Sequence, residues 1–130
     1  MKLAVSTSGK DLSSLVEPRF GRCPNFLIVD TETMKFEVVP NTAVGSAHGA
    51  GIAAAQLVAS MGAKAVLTGN VGPNAYSALS SSGIKIVTGV SGTVEDAVRR
   101  FSSGELQATS GPTVGGHFGT GRRGGRRQRF

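Results

Sequence analysis

Short apolar runs alternate with glycine-rich loops and with segments of helical periodicity along most of the chain. The apolar runs predict five strands, at residues 3–7, 25–30, 36–39, 65–68 and 84–88. The longer periodic segments predict three helices, at residues 50–61, 73–82 and 94–103. Because helices alternate with the later strands, the pattern indicates βαβ units and an α/β fold.

The second and third predicted strands are separated only by residues 31–35, a length that suits a hairpin. One of these two strands therefore runs antiparallel to the others, and the first strand is expected to be central. We predict a five-stranded mixed sheet with one antiparallel strand and with helices on both faces.

The third predicted helix has the clearest boundaries. Thr93 stands where an N-cap is expected, and Glu95 and Asp96 follow in the first turn, where negative charge stabilises the helix dipole. Apolar residues recur at positions 94, 97, 98 and 101, and Gly104 is placed to end the helix. The first predicted helix is apolar or small nearly all round, so it is expected to be largely buried or to lie flat on the sheet.

The chain divides into a folded part and a tail. Apolar periodicity ends after Leu106, so we predict a domain over residues 1–107 and a disordered Gly/Arg-rich tail over residues 108–130. The net charge of +6 belongs mainly to the tail, because residues 1–107 contain nine Lys or Arg against eight Asp or Glu. The tail adds five arginines, at positions 122, 123, 126, 127 and 129, which could make weak, sequence-independent contact with nucleic acid.

Composition excludes several classes of protein. No apolar run approaches the roughly 20 residues needed to span a bilayer, and the first residues lack the apolar region of a signal peptide. We therefore expect a cytoplasmic protein without membrane contact. The single cysteine, Cys23, excludes an internal disulfide and a four-cysteine metal or cluster site within one chain.

Two glycine-rich loops precede predicted helices and are candidates for ligand binding. They comprise residues 41–51 and 69–75, and no acidic residue occurs between Glu37 and Glu95. Loops that follow strands in such sheets gather at one edge, so this edge offers backbone amides, asparagine amides and one imidazole. An anionic or metal–sulfur ligand suits that lining better than a cation does.

Residues 49–54 match the G-x-G-x-x-A form of a dinucleotide fingerprint, but their context does not. No tight turn joins a strand to this helix, and no acidic residue follows at the distance that would hold a ribose. Gly49 and Gly51 either form an anion-accepting helix N-terminus or serve close helix–sheet packing. Asn70 and Asn74 either face a ligand or turn the backbone.

Arg19 and Arg22 lie in the loop between the first two predicted strands, on either side of a Phe-Gly pair. Two guanidinium groups held around a glycine could grip a phosphate or a carboxylate. The alternative is that one of these arginines pairs with Glu17 or Asp11.

Cys23 and His48 are the candidate metal ligands. Cys23 follows Arg22, and nearby positive charge could lower the pKa of its thiol and favour metal or redox chemistry. A plain buried cysteine is the alternative. His48 precedes the first predicted helix and is the best-placed imidazole, whereas an isolated histidine is more often structural. No catalytic constellation is found, so an enzyme acting on a small anion is the least favoured function.

Several of these motifs together resemble the dinitrogenase iron–molybdenum cofactor biosynthesis family of nitrogenase accessory factors. The resemblance rests on the RFGR sequence of residues 19–22, the glycine-rich loop before the first helix, the GNVGPNA sequence of residues 69–75 and the GTVEDA sequence of residues 92–97. It covers residues 1–107. It implies a three-layer α/β/α fold of the ribonuclease H-like type.

The resemblance also implies a function. Members of the family are small carrier proteins rather than enzymes. They bind iron–molybdenum cofactor or its iron–sulfur precursors, with cofactor-assembly proteins as donor and acceptor. Nuclease chemistry is not expected, because the first predicted strand, residues 3–7, contains no carboxylate. Two features depart from the resemblance: the chain has no second cysteine, and the tail has no counterpart in it.

The leading hypothesis is therefore a transient carrier of iron–molybdenum cofactor or a related iron–sulfur cluster. The alternative is a nucleic-acid-binding module that acts through the tail. We predict that the cofactor contacts a surface formed by residues 19–23, 41–51 and 69–74. The predicted cofactor-binding residues are Arg19, Arg22, Asn41, Gly49, Gly51, Asn70, Gly72 and Asn74, and the predicted metal ligands are Cys23 and His48.

Overall fold

The computed structural model describes residues 1–43 and 49–113. Its strands are β1 (Lys2–Thr7), β2 (Asn25–Asp30), β3 (Phe36–Pro40), β4 (Ala65–Leu67) and β5 (Lys85–Val87). Its α-helices are α1 (Ala50–Ser60), α2 (Pro73–Ser81) and α3 (Val94–Ser102), and a single 3-10 turn spans Phe20–Arg22. The five predicted strands and three predicted helices are thus confirmed, with ends that differ by at most one residue.

The five strands form one mixed sheet in the order β3-β2-β1-β4-β5. β2 runs antiparallel to both β1 and β3, whereas β1, β4 and β5 are parallel to one another. The predicted hairpin and the single antiparallel strand are therefore confirmed, and β1 is the central strand. In the register of the sheet, Ala4 of β1 lies between Ile28 of β2 and Val66 of β4.

Alternate side chains of the sheet enter two separate cores, as the pleat of a strand requires. Ala4 belongs to the core under α1 and α2, while Leu3 and Val5 belong to the core under α3. All three side chains are fully buried. A helix layer on each face of the sheet makes three layers, as expected. The ribonuclease H-like label stays an implication of the resemblance.

The helices use different residues to cover their faces of the sheet. α3 is amphipathic and begins at its predicted cap, where the Thr93 hydroxyl accepts a hydrogen bond from the Asp96 amide at 3.2 Å. α1 is covered with small residues and buries Ala54, Ala55 and Val58, while Ile52 is exposed. Small side chains let α1 approach closely both the sheet and α2, which shapes the site described below.

Residues 105–113 continue beyond α3 and run past the edge strand β5. The Thr109 amide donates to the Ile86 carbonyl oxygen at 2.7 Å, and the Thr113 amide donates to the Val71 carbonyl oxygen at 2.9 Å. Residues 108–113, assigned to the tail from the sequence, are therefore held on the folded part. Hydrogen bonds of the backbone and of threonine hydroxyls hold these residues in place. Such contacts leave no apolar periodicity in the sequence, so the pattern did not predict them. Residues 114–130 lie outside the described residues, where the tail stays a prediction.

Within residues 1–43 and 49–113, no helix is long and apolar enough to cross a bilayer.

Candidate functional site

A pocket of about 380 Å³ lies where the loop after β1 meets the loop after β4 and the first turn of α1. We call it the loop pocket, and its lining comprises residues 19–22, Gly51 and residues 70–75. The lining includes six of the eight predicted cofactor-binding residues: Arg19, Arg22, Gly51, Asn70, Gly72 and Asn74. The structure therefore brings together three stretches that are far apart in the sequence.

A backbone crossing joins the two loops of the loop pocket. Arg19 and Asn70 form an isolated parallel β-bridge, and the Asn70 amide donates to the Pro18 carbonyl oxygen at 2.6 Å. Gly69 makes this crossing possible, because a Cβ atom there would lie 2.6 Å from the Pro18 Cα atom. The glycine before Asn70 is thus required by the close approach of two backbones.

Small residues, namely Gly21, Gly51 and Ala75, form one part of the loop pocket. A Cβ atom on Gly21 would lie 3.1 Å from the Gly51 Cα atom, and one on Gly51 would lie 3.0 Å from the Ala75 Cβ atom. Gly51 therefore serves close packing, but against α2 and the Gly21 loop and not against the sheet as the alternative had it, and at the same time it lines the pocket. Gly49 lies at the N-cap of α1 with φ of 74°, a left-handed conformation that favours glycine.

The N-terminus of α2 opens into the loop pocket. Gly72 is its N-cap, Pro73 is its first residue, and no side chain caps the helix there. The first turn, including Asn74 and Ala75, lines the pocket. A helix N-terminus carries a partial positive charge and outward-pointing amides, so this wall of the pocket favours an anion.

The lining of the loop pocket contains two charged side chains, those of Arg19 and Arg22. The Arg19 Nε atom donates to the Glu17 carboxylate at 3.1 Å, which is the pairing considered as the alternative role for this residue. The Arg19 side chain is 70% exposed and the Glu17 side chain 16% exposed, so solvent screens the pair from the arginine side. The guanidinium group keeps further N–H donors besides Nε for a ligand. Arg22 is exposed beside it. Among the described lining residues none is acidic.

Asn41 does not line the loop pocket, and its prediction as a ligand-facing amide is corrected by the structure. Its side-chain amide donates to the carbonyl oxygens of Cys23 at 2.8 Å and Gly21 at 3.2 Å. Its side-chain oxygen accepts from the Ala43 amide at 3.1 Å. Asn41 is buried, and its hydrogen bonds hold the backbone of Gly21 and Cys23 from the inside of the protein.

Cys23 is fully buried, and its thiol donates to the Phe20 carbonyl oxygen at 3.3 Å. Burial raises the pKa of the thiol from its ordinary value of 9.0 to about 12, although the hydrogen bond from Asn41 opposes the change. The expected lowering of this pKa by nearby arginines is therefore wrong. A thiol that stays protonated at neutral pH and has no exposure is poorly suited to bind metal.

His48 lies outside the described residues, so its role as a metal ligand stays a prediction. Within residues 1–43 and 49–113, no group of three or more His, Cys, Asp or Glu side chains could hold a metal ion. The chemistry of the described site is therefore that of an anion pocket, built from guanidinium groups and helix amides.

The predicted cofactor-binding residues omit the apolar part of the lining, formed by Phe20, Val71 and Ala75. Phe20 and Val71 belong to the predicted surface of residues 19–23 and 69–74, and Ala75 directly follows it, so their position beside the predicted residues was the available signal. Sequence reasoning also missed the local turn that the Asn41 side chain closes, for which a signal existed. The Asn41 side chain closes a turn with the amide two residues ahead, a habit of asparagine after a strand.

Comparisons with known proteins agree on the relatives of this chain. The sequence model of the family described as "Dinitrogenase iron-molybdenum cofactor" matches residues 1–104. An uncharacterized protein of Methanocaldococcus jannaschii is 34% identical over 110 residues, which cover 82% of this chain and 90% of that protein.

Two solved structures share both sequence and fold with this chain. The apo form of the orange protein from Desulfovibrio gigas is 45% identical, with a TM-score of 0.84 over 86% of this chain and 95% of that one. A Thermotoga protein provisionally assigned as NifB is 41% identical, with a TM-score of 0.72 over 82% of this chain and 91% of that one.

Proposed function

Because the chain belongs to the dinitrogenase iron–molybdenum cofactor family, we propose that it binds iron–molybdenum cofactor or a related metal–sulfur cluster in the loop pocket. The family match over residues 1–104 confirms the resemblance of the motifs and connects the chain with processes related to this cofactor. The carrier role, the pocket and the residues named below are our proposal.

The observation that carries the proposal is the charge of the loop pocket. Arg19 and Arg22 stand on one side, the uncapped N-terminus of α2 stands on the other, and no acidic residue is among the described lining. Metal–sulfur clusters with sulfide and carboxylate ligands are anions that accept hydrogen bonds. Guanidinium groups and helix amides offer matching donors, and charge-assisted hydrogen bonds of this kind are about twice as strong as neutral ones.

The same lining favours a carrier over a permanent holder. Cys23 is buried and protonated, so the described residues present no thiolate to the loop pocket. A cluster would be held mainly through contacts to its outer atoms, with His48 as the candidate imidazole ligand. Few metal–protein bonds allow release to an acceptor protein, because each such bond must break during transfer. We propose accordingly that the protein acts as a carrier and not as an enzyme.

The direct test is anaerobic uptake of isolated iron–molybdenum cofactor by the full chain. The variants Arg19→Gln and Arg22→Gln remove one guanidinium each from the loop pocket. Arg99→Gln is the matched control, because Arg99 is an exposed arginine of α3, whose layer covers the opposite face of the sheet from α1 and α2. Bound molybdenum after gel filtration, measured against cofactor concentration, reports affinity.

We expect each pocket variant to bind about tenfold more weakly, because a hydrogen bond to a charged group contributes about 1.5 kcal/mol. The control should bind like the wild type. No uptake by the wild type at any cofactor concentration would remove the proposal. Equal uptake by the double variant Arg19→Gln, Arg22→Gln and the wild type would place the cofactor elsewhere on the protein.

A further inference from the structure

Residues 105–113, which we call the strap, connect the edge of the sheet with the loop that precedes α2. The strap lies beyond the residues that the family model matches. Thr109 is its first anchor. The Thr109 amide donates to the Ile86 carbonyl oxygen of β5 at 2.7 Å, and its hydroxyl accepts from the Thr88 amide at 3.0 Å. Its carbonyl oxygen accepts from the Tyr76 hydroxyl of α2 at 3.5 Å.

The second anchor, Thr113, is bonded to a residue of the loop pocket. The Thr113 hydroxyl accepts a hydrogen bond from the Val71 amide at 2.8 Å, and the Thr113 amide donates to the Val71 carbonyl oxygen at 2.9 Å. The hydroxyl also donates to that carbonyl oxygen at 3.2 Å. Val71 lines the loop pocket, and its side chain is buried in the core under α1 and α2. One threonine therefore engages both backbone polar groups of a buried pocket residue.

The residue before Val71 is held in the same way from the opposite side. The Asn70 amide donates to the Pro18 carbonyl oxygen at 2.6 Å, and the Asn70 carbonyl oxygen accepts from the Phe20 amide at 3.3 Å. All backbone polar groups of Asn70 and Val71 are thus hydrogen-bonded, the first pair to the loop after β1 and the second pair to the strap. The chain is clamped between these two segments directly before α2.

This clamp determines where the first turn of α2 lies. Val71 directly precedes Gly72, the N-cap of α2, and no side chain caps the helix at that position. The first amides of a helix have no partner within the helix, so they point outward, here toward the loop pocket that Asn74 and Ala75 line. The direction in which these amides point therefore depends on how the chain enters the helix, which is fixed at Val71.

We propose that Thr113 is a positioning residue of the loop pocket, which holds the first turn of α2, through Val71, in the orientation that binds the anionic ligand. This inference rests on the proposed function and adds to it a residue outside the pocket lining. Hydrogen bonds weaken steeply when donor and acceptor lose their alignment, so the amides of α2 bind well only from a fixed position. A loop that is ordered before binding also loses less conformational freedom when the ligand arrives.

The contacts of the strap favour this role over a general stabilisation of the sheet edge. Thr109 and Thr113 are half-buried, whereas residues 108, 110 and 112 are exposed. The strap thus meets the rest of the protein mainly at its two threonines. The contacts of Thr109 with β5 and α2 are sufficient to hold the strap on the sheet edge. Thr113 adds a contact of a different kind, because its partner is a residue of the loop pocket.

The test measures anaerobic uptake of isolated iron–molybdenum cofactor by full-length chains. Thr113→Val removes the hydroxyl at nearly constant volume, and Thr113→Ser retains it. Thr93→Val is the matched control, because the Thr93 hydroxyl also accepts from a backbone amide, that of Asp96 at 3.2 Å, but does so at the start of α3 on the opposite face of the sheet. Urea unfolding reports the stability of each chain, and amide hydrogen exchange at Val71 reports the contact with the strap.

We expect Thr113→Val to bind cofactor about tenfold more weakly than the wild type and to exchange the Val71 amide proton faster, because that amide loses its acceptor. Thr113→Ser should bind within about twofold of the wild type, because the hydroxyl is what Val71 requires. Thr93→Val should unfold at a lower urea concentration, since it loses a helix cap, and should bind cofactor like the wild type.

The other outcomes separate this inference from the proposed function. Wild-type affinity in Thr113→Val would overturn the inference and leave the proposed function standing, and so would unchanged exchange at Val71. Equal weakening in Thr93→Val would attribute the effect to global stability and overturn the positioning role. Equal weakening in Thr113→Ser would overturn the role of the hydroxyl. Failure of the wild type to take up cofactor would remove the proposed function, and the positioning role with it.

Discussion

Gly51 of α1 faces Ala75 of α2 so closely that a Cβ atom added to Gly51 would lie 3.0 Å from the Ala75 Cβ atom. This contact sets the distance between the first turns of two helices that both line the loop pocket. A residue that looked in the sequence like part of an anion-binding fingerprint therefore controls the width of the site through packing.

Gly51→Ala is expected to lower the free energy of unfolding by about 1 kcal/mol. Overpacking costs about 1–3 kcal/mol, while the better helix propensity of alanine offsets up to about 1 kcal/mol of it. Urea unfolding measures the change. Adding Ala75→Gly restores the missing space, so the double variant should be more stable than the sum of the single effects by about 1 kcal/mol. If the effects of the two substitutions on the free energy of unfolding simply add, a side chain at position 51 does not clash with Ala75.

Gly69→Ala is expected to destabilise the protein more strongly, by about 3 kcal/mol, because the new methyl group meets backbone atoms that cannot rotate away. The added Cβ atom would lie 2.6 Å from the Pro18 Cα atom and 2.8 Å from the Pro18 carbonyl oxygen. Gly111→Ala is the control, since nothing lies within 4 Å of a Cβ atom there. Urea unfolding of both variants checks the difference, and equal stability would contradict the tight crossing at the pocket.

The strands and helices could be predicted from the sequence because each is marked by local patterns. Thr93 with its acidic neighbours marks the start of α3, and the Gly72-Pro73 pair marks the start of α2. These signals act within a few residues of the chain. The loops of the site are also visible as glycine-rich stretches, and six of eight predicted binding residues do line one pocket.

Orientation and burial could not be predicted, because they depend on contacts between distant stretches. Asn41 and Asn70 look alike in the sequence, yet the buried Asn41 side chain donates to the backbone of Gly21 and Cys23, whereas Asn70 lines the loop pocket. Cys23 follows an arginine along the chain, but desolvation raises the pKa of its thiol, and the charge that acts on it is the carboxylate of Glu17, which raises the pKa further. Thr113 reaches Val71 across 42 residues, a contact that no local pattern announces.

Uptake of cofactor should respond differently to the two predicted metal ligands. Cys23→Ser is expected to take up isolated iron–molybdenum cofactor like the wild type, because the buried thiol does not line the loop pocket. His48→Ala is expected to weaken uptake if its imidazole supplies the metal bond that the described residues lack. Anaerobic binding of molybdenum and iron measures both variants. Loss of uptake in Cys23→Ser, with the fold intact, would show that the loop around this residue opens to admit the cofactor.

The raised pKa of Cys23 predicts how stability changes in alkaline solution. Burial raises the thiol pKa from 9.0 to about 12 in the folded protein, whereas the unfolded chain ionises near the ordinary value. Below pH 9 the thiol is protonated in both states, so its full contribution to stability is present. Between pH 9 and pH 12 the unfolded chain loses this proton and the folded protein keeps it, so unfolding becomes easier as pH rises.

The matched measurement is urea unfolding of the wild type and Cys23→Ala from pH 7 to pH 11. All other titratable groups are common to both proteins, so the difference between the two curves isolates the thiol. We expect the wild type to lose up to about 1.4 kcal/mol per pH unit between pH 10 and pH 11 relative to the variant, the value that linkage gives for one proton. A constant difference across this range would mean that the folded thiol ionises normally.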